Sequence, residues 1–583
     1  MLDIYTAEDI RTAEAPYINV PGYNGYLMAR AAKALAKETR AYLKKRYKHR
    51  APENTHLLLL VGPGNNGADT IWAGKRLARK GYRIDLLLTD PDGQNLTLAA
   101  AESMDGTRII GAEWEQAFSC EALQHYQLII DGVLGTGARG AARGVAGRLL
   151  EKLRALQIQD MLPPVIACDM PTGIDAHSGT LHEPCLRAER TVTFIGRKLP
   201  AGTALEAACG EIKLHDLGIP EALNDFFPAL IVPERQDHAQ VLSLPNENSH
   251  KYTRGVLGVL AGSDEYPGAA VLTTRAAINT GVGMVRYGYP SREVRSLVLA
   301  SCPEAVTFDA SESRGHIPVQ HVDACTIGSG VNFSNATLRM LQDVLESDTP
   351  AVLDAGALDL VAAYLAHSSA PLGIEKILTP HAGELARFFN IFASENPTRW
   401  NALHASGLMH NPLRAGATMP SREDIEAEPY YWVRAAAWVS GATVMLKGGT
   451  SLIATGPQAN IYDPARVQEL TILPVVSVPG ATPWLATAGS GDTLSGILGA
   501  LLAQVAAEVE SFSRALNYSP SLPSRIAALA VYLHGQAALE SIPWMLGPVP
   551  ATRVTEALPQ AIAELAEELP ASTAWLADKV FKH

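Results

Sequence analysis

The stretch His56–Asp90, "HLLLLVGPGNNGADTIWAGKRLARKGYRIDLLLTD", decides how the first part of this chain folds. Leu57 to Val61 form a short apolar run of buried-strand type, a helix-length segment follows, and "RIDLLLTD" reads as a second strand. Gly81 suits the left-handed residue that ends such a helix. Together they predict a β-α-β unit. Gly62, Gly64 and Gly67 stand at the three positions of a dinucleotide-binding loop, and Asp90 follows about 20 residues later, where a ribose-binding acid is usual. The loop interior argues the other way. Asn65 and Asn66 add side-chain amides, and Asp69 sets a carboxylate beside the helix N-terminus, where a pyrophosphate would meet a like charge. On these residues alone, a dehydrogenase-type loop and an ordinary tight turn both stay open.

The same alternation continues outward. "LIID" (128–131) and "PVIACDM" (164–170) are further strand candidates, and their spacing suits a parallel sheet with crossover helices. The polar stretch Pro233–Gly255, "PERQDHAQVLSLPNENSHKYTRG", is the best linker candidate, and "VLGVLAG" after it opens a second α/β half. We therefore expect one domain over 1–225, a linker over 226–245 and a second domain over 246–583. Residues 393–432 show no clear period and read as a long insertion or lid. A chain of 583 residues is too long for one core, so several domains are expected in any case.

Bulk properties narrow the partners. A formal charge of −12 argues against a nucleic-acid or anionic-membrane surface, which needs clustered Lys and Arg. The one basic run, Lys44–Arg50, reads as a solvated helix end. Leu470–Gly491 carries no charge, but Pro474, Pro479 and Pro483 make it a poor spanning helix. The N-terminus lacks the apolar core of a secretory signal. The cysteines at 120, 168, 185, 209, 302 and 325 include no Cys-x-x-Cys, so neither a zinc site nor a disulfide framework is expected. The expectation is a cytoplasmic protein.

Each strand of the first half runs into a polar cluster. Asp131 ends one strand before the glycine loop Gly135–Gly140, and Asp169 and Thr172 end another. In an open parallel sheet these ends gather on the ligand-binding edge. Asn66, Asp131 and Thr172 would there offer amide, carboxylate and hydroxyl oxygens, a hard set suited to an alkali or alkaline-earth cation. Asp169 is left as a candidate acid/base. The alternative is that each acid merely caps a helix.

The motifs "YTAEDIRTAE", "GPGNNGAD", "IIDGVLGTGARG", "CDMPTGIDAHSG", "TVTFIGRK" and "GEIKLHDLGIP" follow one another as in the NAD(P)H-hydrate epimerase family, which residues 1–220 resemble. The resemblance implies a Rossmann-like fold serving a hydrated nicotinamide dinucleotide. It implies that Asn65, Asn66, Gly67, Ala68, Asp69, Gly135, Thr136, Gly137, Ala138, Arg139, Gly140 and Ala141 line the substrate. Asp169 would contact it, and Asn66, Asp131 and Thr172 would hold a potassium ion. Ala68 and Thr70 stand where the family usually has Gly, so a non-catalytic binding module stays open for this half.

In the second half, "LATAGSGDTLSGILGALLAQV" (485–505) carries most information. Leu494, Ile497, Leu498, Leu501, Leu502 and Val505 give one apolar helical stripe. Gly489, Ser490 and Gly491 precede it, leaving free N–H groups for an anion or a transferring phosphoryl group, with Asp492 beside them as a candidate base. Lys447 lies before a glycine turn, and His381 and Glu384 lie at a strand-to-helix turn.

"HKYTRGVLGVLAGS", "DACTIGSGV", "PAVLDAGAL", "TPHAGE", "LKGGT" and "ATAGSGDTLSG" resemble the ADP-dependent NAD(P)H-hydrate dehydratases, a ribokinase-like branch. By that resemblance Ala269, Gly330, His381 and Asp492 contact the hydrated nicotinamide. Lys447, Gly448, Gly449, Thr450, Ser451 and Gly491 contact the adenine nucleotide. The departures, Ser329 for the usual Pro and Gly356 for the usual Asp, are expected to lie away from the anion hole. The implied whole is a bifunctional repair enzyme, an isomerase joined to a lyase. It would act on NADHX and NADPHX with ADP as co-substrate, potassium and room for magnesium, as a homo-oligomer. A ribokinase-class small-molecule kinase and a Rossmann dehydrogenase are the rivals.

Overall fold

The computed structural model describes residues 1–90, 108–110, 123–137, 140–176, 178–310, 322–368, 370–405, 419–457, 473–508, 520–542 and 547–569, with backbone only for 402–405. Ala138, Arg139 and residues 406–418 lie outside that range. In chain order the strands are β1 (Leu2–Tyr5), β2 (His56–Val61), β3 (Arg83–Leu88), β4 (Arg108–Ile110), β5 (Leu128–Gly132), β6 (Val165–Cys168), β7 (Arg190–Phe194), β8 (Arg197–Lys198), β9 (Glu211–His215) and β10 (Leu230–Val232). Then follow β11 (Val256–Leu260), β12 (Met284–Tyr289), β13 (Val306–Asp309), β14 (Ala324–Ile327), β15 (Ala351–Leu353), β16 (Lys376–Leu378), β17 (Thr443–Leu446), β18 (Thr450–Thr455) and β19 (Val475–Pro479). The chain divides into two compact units, Asp3–Leu230 and Ile231–His583 with Met1–Leu2.

The first unit is built on the parallel sheet β4-β3-β2-β5-β6-β7-β9. Its central strands β2, β5, β6 and β7 are buried on both faces. Leu57, Leu59 and Val61 enter one apolar cluster while Leu58 and Leu60 enter the opposite one, as the two-residue period of a strand requires. This is why the run "LLLLV" is continuous instead of alternating. Because β2, β5 and β6 are neighbours, the turns after them lie side by side.

The second unit orders its strands β13-β12-β11-β14-β15-β16-β17-β18-β19, parallel through β17 and antiparallel beyond. The helix Ser490–Ala506 corrects the expected single stripe: Thr493 through Val505 are all buried. Gly496 and Gly499 permit this. A Cβ at Gly496 would lie 2.3 Å from the Thr273 carbonyl, and one at Gly499 would lie 2.0 Å from Thr326 Oγ1. Two other stretches carry structure of their own. The linker stretch contains β10 and the helix Arg235–Ala239, whose His238 is buried and stacks on Tyr532 with ring centres 4.4 Å apart. The stretch 393–432 is helical over Pro397–Ala405, Arg422–Ala427 and the start of Pro429–Ser440, and Trp400 and Trp432 pack on Phe389. None of the described helices is long and apolar enough to cross a membrane.

The three fingerprint glycines differ in what they tolerate. A Cβ at Gly62 would sit 1.7 Å from the Val133 carbonyl oxygen and one at Gly67 2.0 Å from that of Gly62, whereas Gly64 has open space around it. Gly62→Ala should therefore destabilise the first unit by about 1–3 kcal/mol or more through overpacking, and Gly64→Ala should leave its melting curve nearly unchanged. Thermal melts of the two variants check this; equal curves would contradict the packing described.

Candidate active sites

In the first unit, the turn after β6 turns on Asp169, which adopts φ +64°. A non-glycine residue there costs about 1 kcal/mol or more and is held by its surroundings. Its carboxylate meets Lys198 Nζ at 2.5 Å and accepts from Thr193 Oγ1 at 3.1 Å and from the Thr136 N–H at 3.3 Å. Lys198 is buried, donating also to Thr193 Oγ1 (2.9 Å) and the Phe194 carbonyl (3.0 Å). Sequence reasoning quoted this lysine in a motif without giving it a role. No local signal marks it, because its partner arrives from another strand end.

Asp69, on the helix Asn65–Ala78, has a buried Oδ1 with no hydrogen-bond partner among the described residues. Burial, with smaller contributions from Asp169 and Glu14, raises its pKa well above the usual carboxylate range. A carboxyl shifted this way opposes a nearby anion less than an ordinary carboxylate would. Glu14 is raised as well, by burial against the opposing pull of Lys198.

Asp131, near the end of β5 at the same sheet edge, is fully buried. Its oxygens accept from the Thr172 N–H (2.7 Å), Thr172 Oγ1 (2.7 Å) and the Val133 N–H (3.3 Å). Asn66 Nδ2 donates to the Leu134 carbonyl (2.9 Å), and the Leu134 N–H to Thr172 Oγ1 (3.1 Å), so the backbone of Leu134 links Asn66 to Thr172 and, through Thr172, to Asp131. Burial raises Asp131 despite those bonds, and among the described residues no cationic side chain pairs with it. Gly137 leaves open space, Gly135 packs against Asn66, Gly140 has φ +73° and Ala141 is half-buried. Asn65 is exposed and Ala68 half-buried. Thr70 is buried where a Cβ at Gly132 would strike its hydroxyl at 1.9 Å, so its bulk is absorbed by that glycine.

In the second unit the neighbouring ends of β14, β15, β16 and β17 bring together Ser329, Asp354, Thr379, His381 and Lys447. Asp354, also unassigned by sequence reasoning, is the hub. Lys447 Nζ donates to its Oδ1 at 2.7 Å and Thr379 Oγ1 at 2.8 Å, while Ser495 Oγ and Ser329 Oγ donate to its Oδ2 at 2.7 and 3.0 Å. Burial pushes Asp354 up, but Lys447 and these hydroxyls outweigh it and hold it below the usual range. Burial likewise opposes the Lys447 charge, and Asp354 and Glu384 (3.7 Å away) outweigh it.

Lys447 stands before the helix Ser490–Ala506, with Nζ 3.8 Å from where a Gly491 Cβ would lie, and Gly489 starts that helix with φ +86°. Asp492 follows. Burial and the Asp354 charge raise it to about 6, opposed by Lys447. Ser329 joins the same polar edge through its bond to Asp354, and Gly356 has Phe333 as its nearest neighbour.

His381 caps the helix Ala382–Glu395, its Nδ1 accepting from the Gly383 and Glu384 N–H groups, and its side chain is 58% exposed. Gly448 and Gly449 are exposed, Thr450 is half-buried, and Ser451 is buried within β18. A Cβ at Gly330 would lie 2.8 Å from that of Ala269, so these two expected contacts are adjacent.

Comparison with known proteins agrees with this division. A family model described as NAD(P)H-hydrate dehydratase matches residues 257–560, and one described as YjeF-related protein N-terminus matches residues 24–199. The bifunctional NAD(P)H-hydrate repair enzyme Nnr of Mycobacterium tuberculosis (strain CDC 1551 / Oshkosh) is 34% identical over 507 residues, covering 86% of this chain and 89% of that protein. The enzyme of the same name from Corynebacterium glutamicum is 28% identical over 631 aligned positions, covering 97% and 99%. A crystal structure of the ADP/ATP-dependent NAD(P)H-hydrate dehydratase from Bacillus subtilis, co-crystallised with ATP and Mg2+, is similar with a TM-score of 0.41 and 24% identity, covering 57% of this chain and 97% of that one. On the length and identity of the Mycobacterium match and the extent of the dehydratase model, the chain belongs to the bifunctional NAD(P)H-hydrate repair enzyme family.

Proposed function

We propose that this chain repairs hydrated nicotinamide dinucleotides, with the first unit interconverting the two epimers and the second dehydrating the S epimer at the expense of ADP. The observation that carries the reading is the meeting of Lys447, Asp492 and the N-terminus of Ser490–Ala506 at one strand edge. There, backbone N–H groups and the ammonium would hold phosphate oxygens while Asp492 takes the proton of the substrate hydroxyl. The hydroxyl oxygen attacks the terminal phosphorus of ADP and the bond to AMP breaks. Phosphate then departs with the C–O electron pair and a ring proton is lost, restoring the dihydronicotinamide. The step makes chemical sense because phosphate leaves far more readily than hydroxide. Gly448 and Gly449 would cover the nucleotide, and Ala269, Gly330 and His381 the hydrated ring. Magnesium would accompany the nucleotide and neutralise phosphate charge.

For the first unit, the substrate carbon carries a hydroxyl beside a ring nitrogen. Inverting it requires one of those bonds to break and re-form, with a proton given to the departing atom and taken back. Asp69, its pKa raised by burial, is suited to donate, and Asp169, ion-paired to Lys198, to accept. Asn66, Asp131 and Thr172 would hold potassium, whose charge would relieve the buried Asp131 carboxylate. The substrate would lie along Asn65–Asp69 and Gly135–Ala141.

The test is to incubate the full chain with mixed epimers and ADP, following dihydronicotinamide absorbance together with AMP and phosphate. A stable phosphoester without restored absorbance would instead mark a kinase.

Four outcomes are expected. Asp492→Asn should lower dehydration by about two to four powers of ten while nucleotide binding persists, because the anion-binding groups are backbone and Lys447. A base must be ionised, so kcat/KM for dehydration should fall about tenfold per pH unit below about pH 6, where Asp492 takes up its proton. Replacing potassium by a bulky organic cation should slow epimer exchange and lower the melting temperature of the first unit. At a hundredfold excess over its Kd, a bound ion adds about 2.7 kcal/mol. Asp131→Ala should abolish that potassium dependence, whereas Asp169→Ala should keep it and lose exchange, as read by chromatography and melts.

A further inference from the structure

Asp169 is anchored at one oxygen and open at the other. Its Oδ1 meets Lys198 Nζ at 2.5 Å and accepts from Thr193 Oγ1 at 3.1 Å, and Thr193 Oγ1 accepts in turn from Lys198 Nζ at 2.9 Å. The three groups close a triangle. The third hydrogen of the ammonium goes to the Phe194 carbonyl at 3.0 Å, so Lys198 has no donor left for a ligand. Asp169 Oδ2, by contrast, receives a single N–H among the described residues, that of Thr136 at 3.3 Å, from the glycine loop that begins at Gly135.

The backbone brings these groups together from separate strands. β6 and β7 pair in register Cys168↔Val192, and the Asp169 N–H continues the ladder to the Val192 carbonyl at 2.8 Å, which sets Asp169 beside Thr193. The chain leaves β7 through Ile195, with φ +66°, and returns at once as β8, so that Lys198 reaches back to Thr193 and the Phe194 carbonyl. Asp169, Thr193 and Lys198 are all buried. A hydroxyl and an ammonium on one buried carboxylate oxygen fix the rotation of the carboxylate, and with it the oxygen that faces outward.

We propose that Thr193 and Lys198 are positioning residues for epimer exchange: they anchor Asp169 Oδ1 so that Oδ2 is the oxygen offered to the substrate beside the glycine loop. The inference rests on the reading of Asp169 as the proton acceptor of the first unit. When Asp169 takes the substrate's proton, the new O–H bond forms at Oδ2, and Lys198 and Thr193 keep their own protons. A lysine beside a dinucleotide site would ordinarily hold phosphate. This one is spent inside the protein, so the anchor acts on rate and not on affinity.

The experiment uses the full chain as wild type, Thr193→Val and Thr193→Ser, with mixed epimers and no ADP, so that the second unit consumes neither. Valine keeps the shape of threonine and takes the hydroxyl out of the triangle. In Thr193→Val, kcat for exchange above the spontaneous rate, per chain shown by melting curves to be folded, should fall about tenfold to a hundredfold with KM unchanged. Thr193→Ser, which keeps the hydroxyl, should restore it. A raised KM, the mark of a phosphate-holding role, or a Thr193→Ser chain as slow as Thr193→Val, overturns the proposal. A crystal structure of Thr193→Val reads the anchor without substrate: the Asp169 carboxylate should be turned or occupy two orientations. An unmoved carboxylate overturns the proposal whether or not the chain exchanges epimers. Lys198→Met, which removes the other donor to the same oxygen, is read in the same ways and serves if Thr193→Val does not fold. Wild type that exchanges nothing above the spontaneous rate, with the carboxylate turned in the variant, overturns the functional reading and leaves the anchor standing.

Discussion

Asp354 and Lys447 form a charged pair largely removed from water, and the second unit's polar edge is arranged around it. Taking two such charges out of water costs several kcal/mol each, which their attraction offsets only when the remaining hydrogen-bonding capacity is met. Here the carboxylate receives the ammonium and three hydroxyls from four different places in the sequence. The pair and its hydroxyl partners therefore fix the ends of β14, β15, β16 and β17 and the second turn of Ser490–Ala506 relative to one another. The strained Ala355, with φ +48°, follows the hub directly, which fits a backbone held by its side-chain contacts.

The first unit uses the same device with other residues. Asp169 also follows a parallel strand, also sits at a strained turn, and is also held by a lysine brought from another strand end. In each unit a second carboxyl lies near the pair and is shifted upward, chiefly by burial: Asp69 in the first and Asp492 in the second. A fixed carboxylate beside one that can hold or release a proton is the arrangement acid-base chemistry needs. The two chemistries differ in what surrounds that pair: a cluster of oxygen donors in one case, a helix N-terminus in the other.

Much of the scaffold was readable from local pattern. The apolar runs at β2, β3, β5 and β6, the glycine turns and the Gly-Ser-Gly-Asp helix start each depend on neighbours in sequence. Lys198, Asp354 and Ser329 were not assigned roles for a common reason. Their significance lies in contacts made across strand ends, and no spacing along the chain encodes which lysine will meet which aspartate. The apolar stripe was misread by a related route. A period of 3.6 residues finds the face a helix must bury, but only tertiary packing reveals that every other face is covered too. No helical period was legible in 393–432 because its helices are short and each begins anew, two of them at Pro397 and Pro429.

Gly496 and Gly499 lie one and two turns into the helix from the chemistry, and nothing about them is catalytic. They nevertheless set how deeply the helix sinks between Thr273 and Thr326, and so where its first N–H groups end up. A side chain at either position would lift the whole rod while leaving every residue of "ATAGSGD" in place. A side chain at Gly499 would pass any inspection of the signature motif and still displace the site. For this fold, integrity of the motif and integrity of the site are separate questions, and a glycine outside the motif bears on the second.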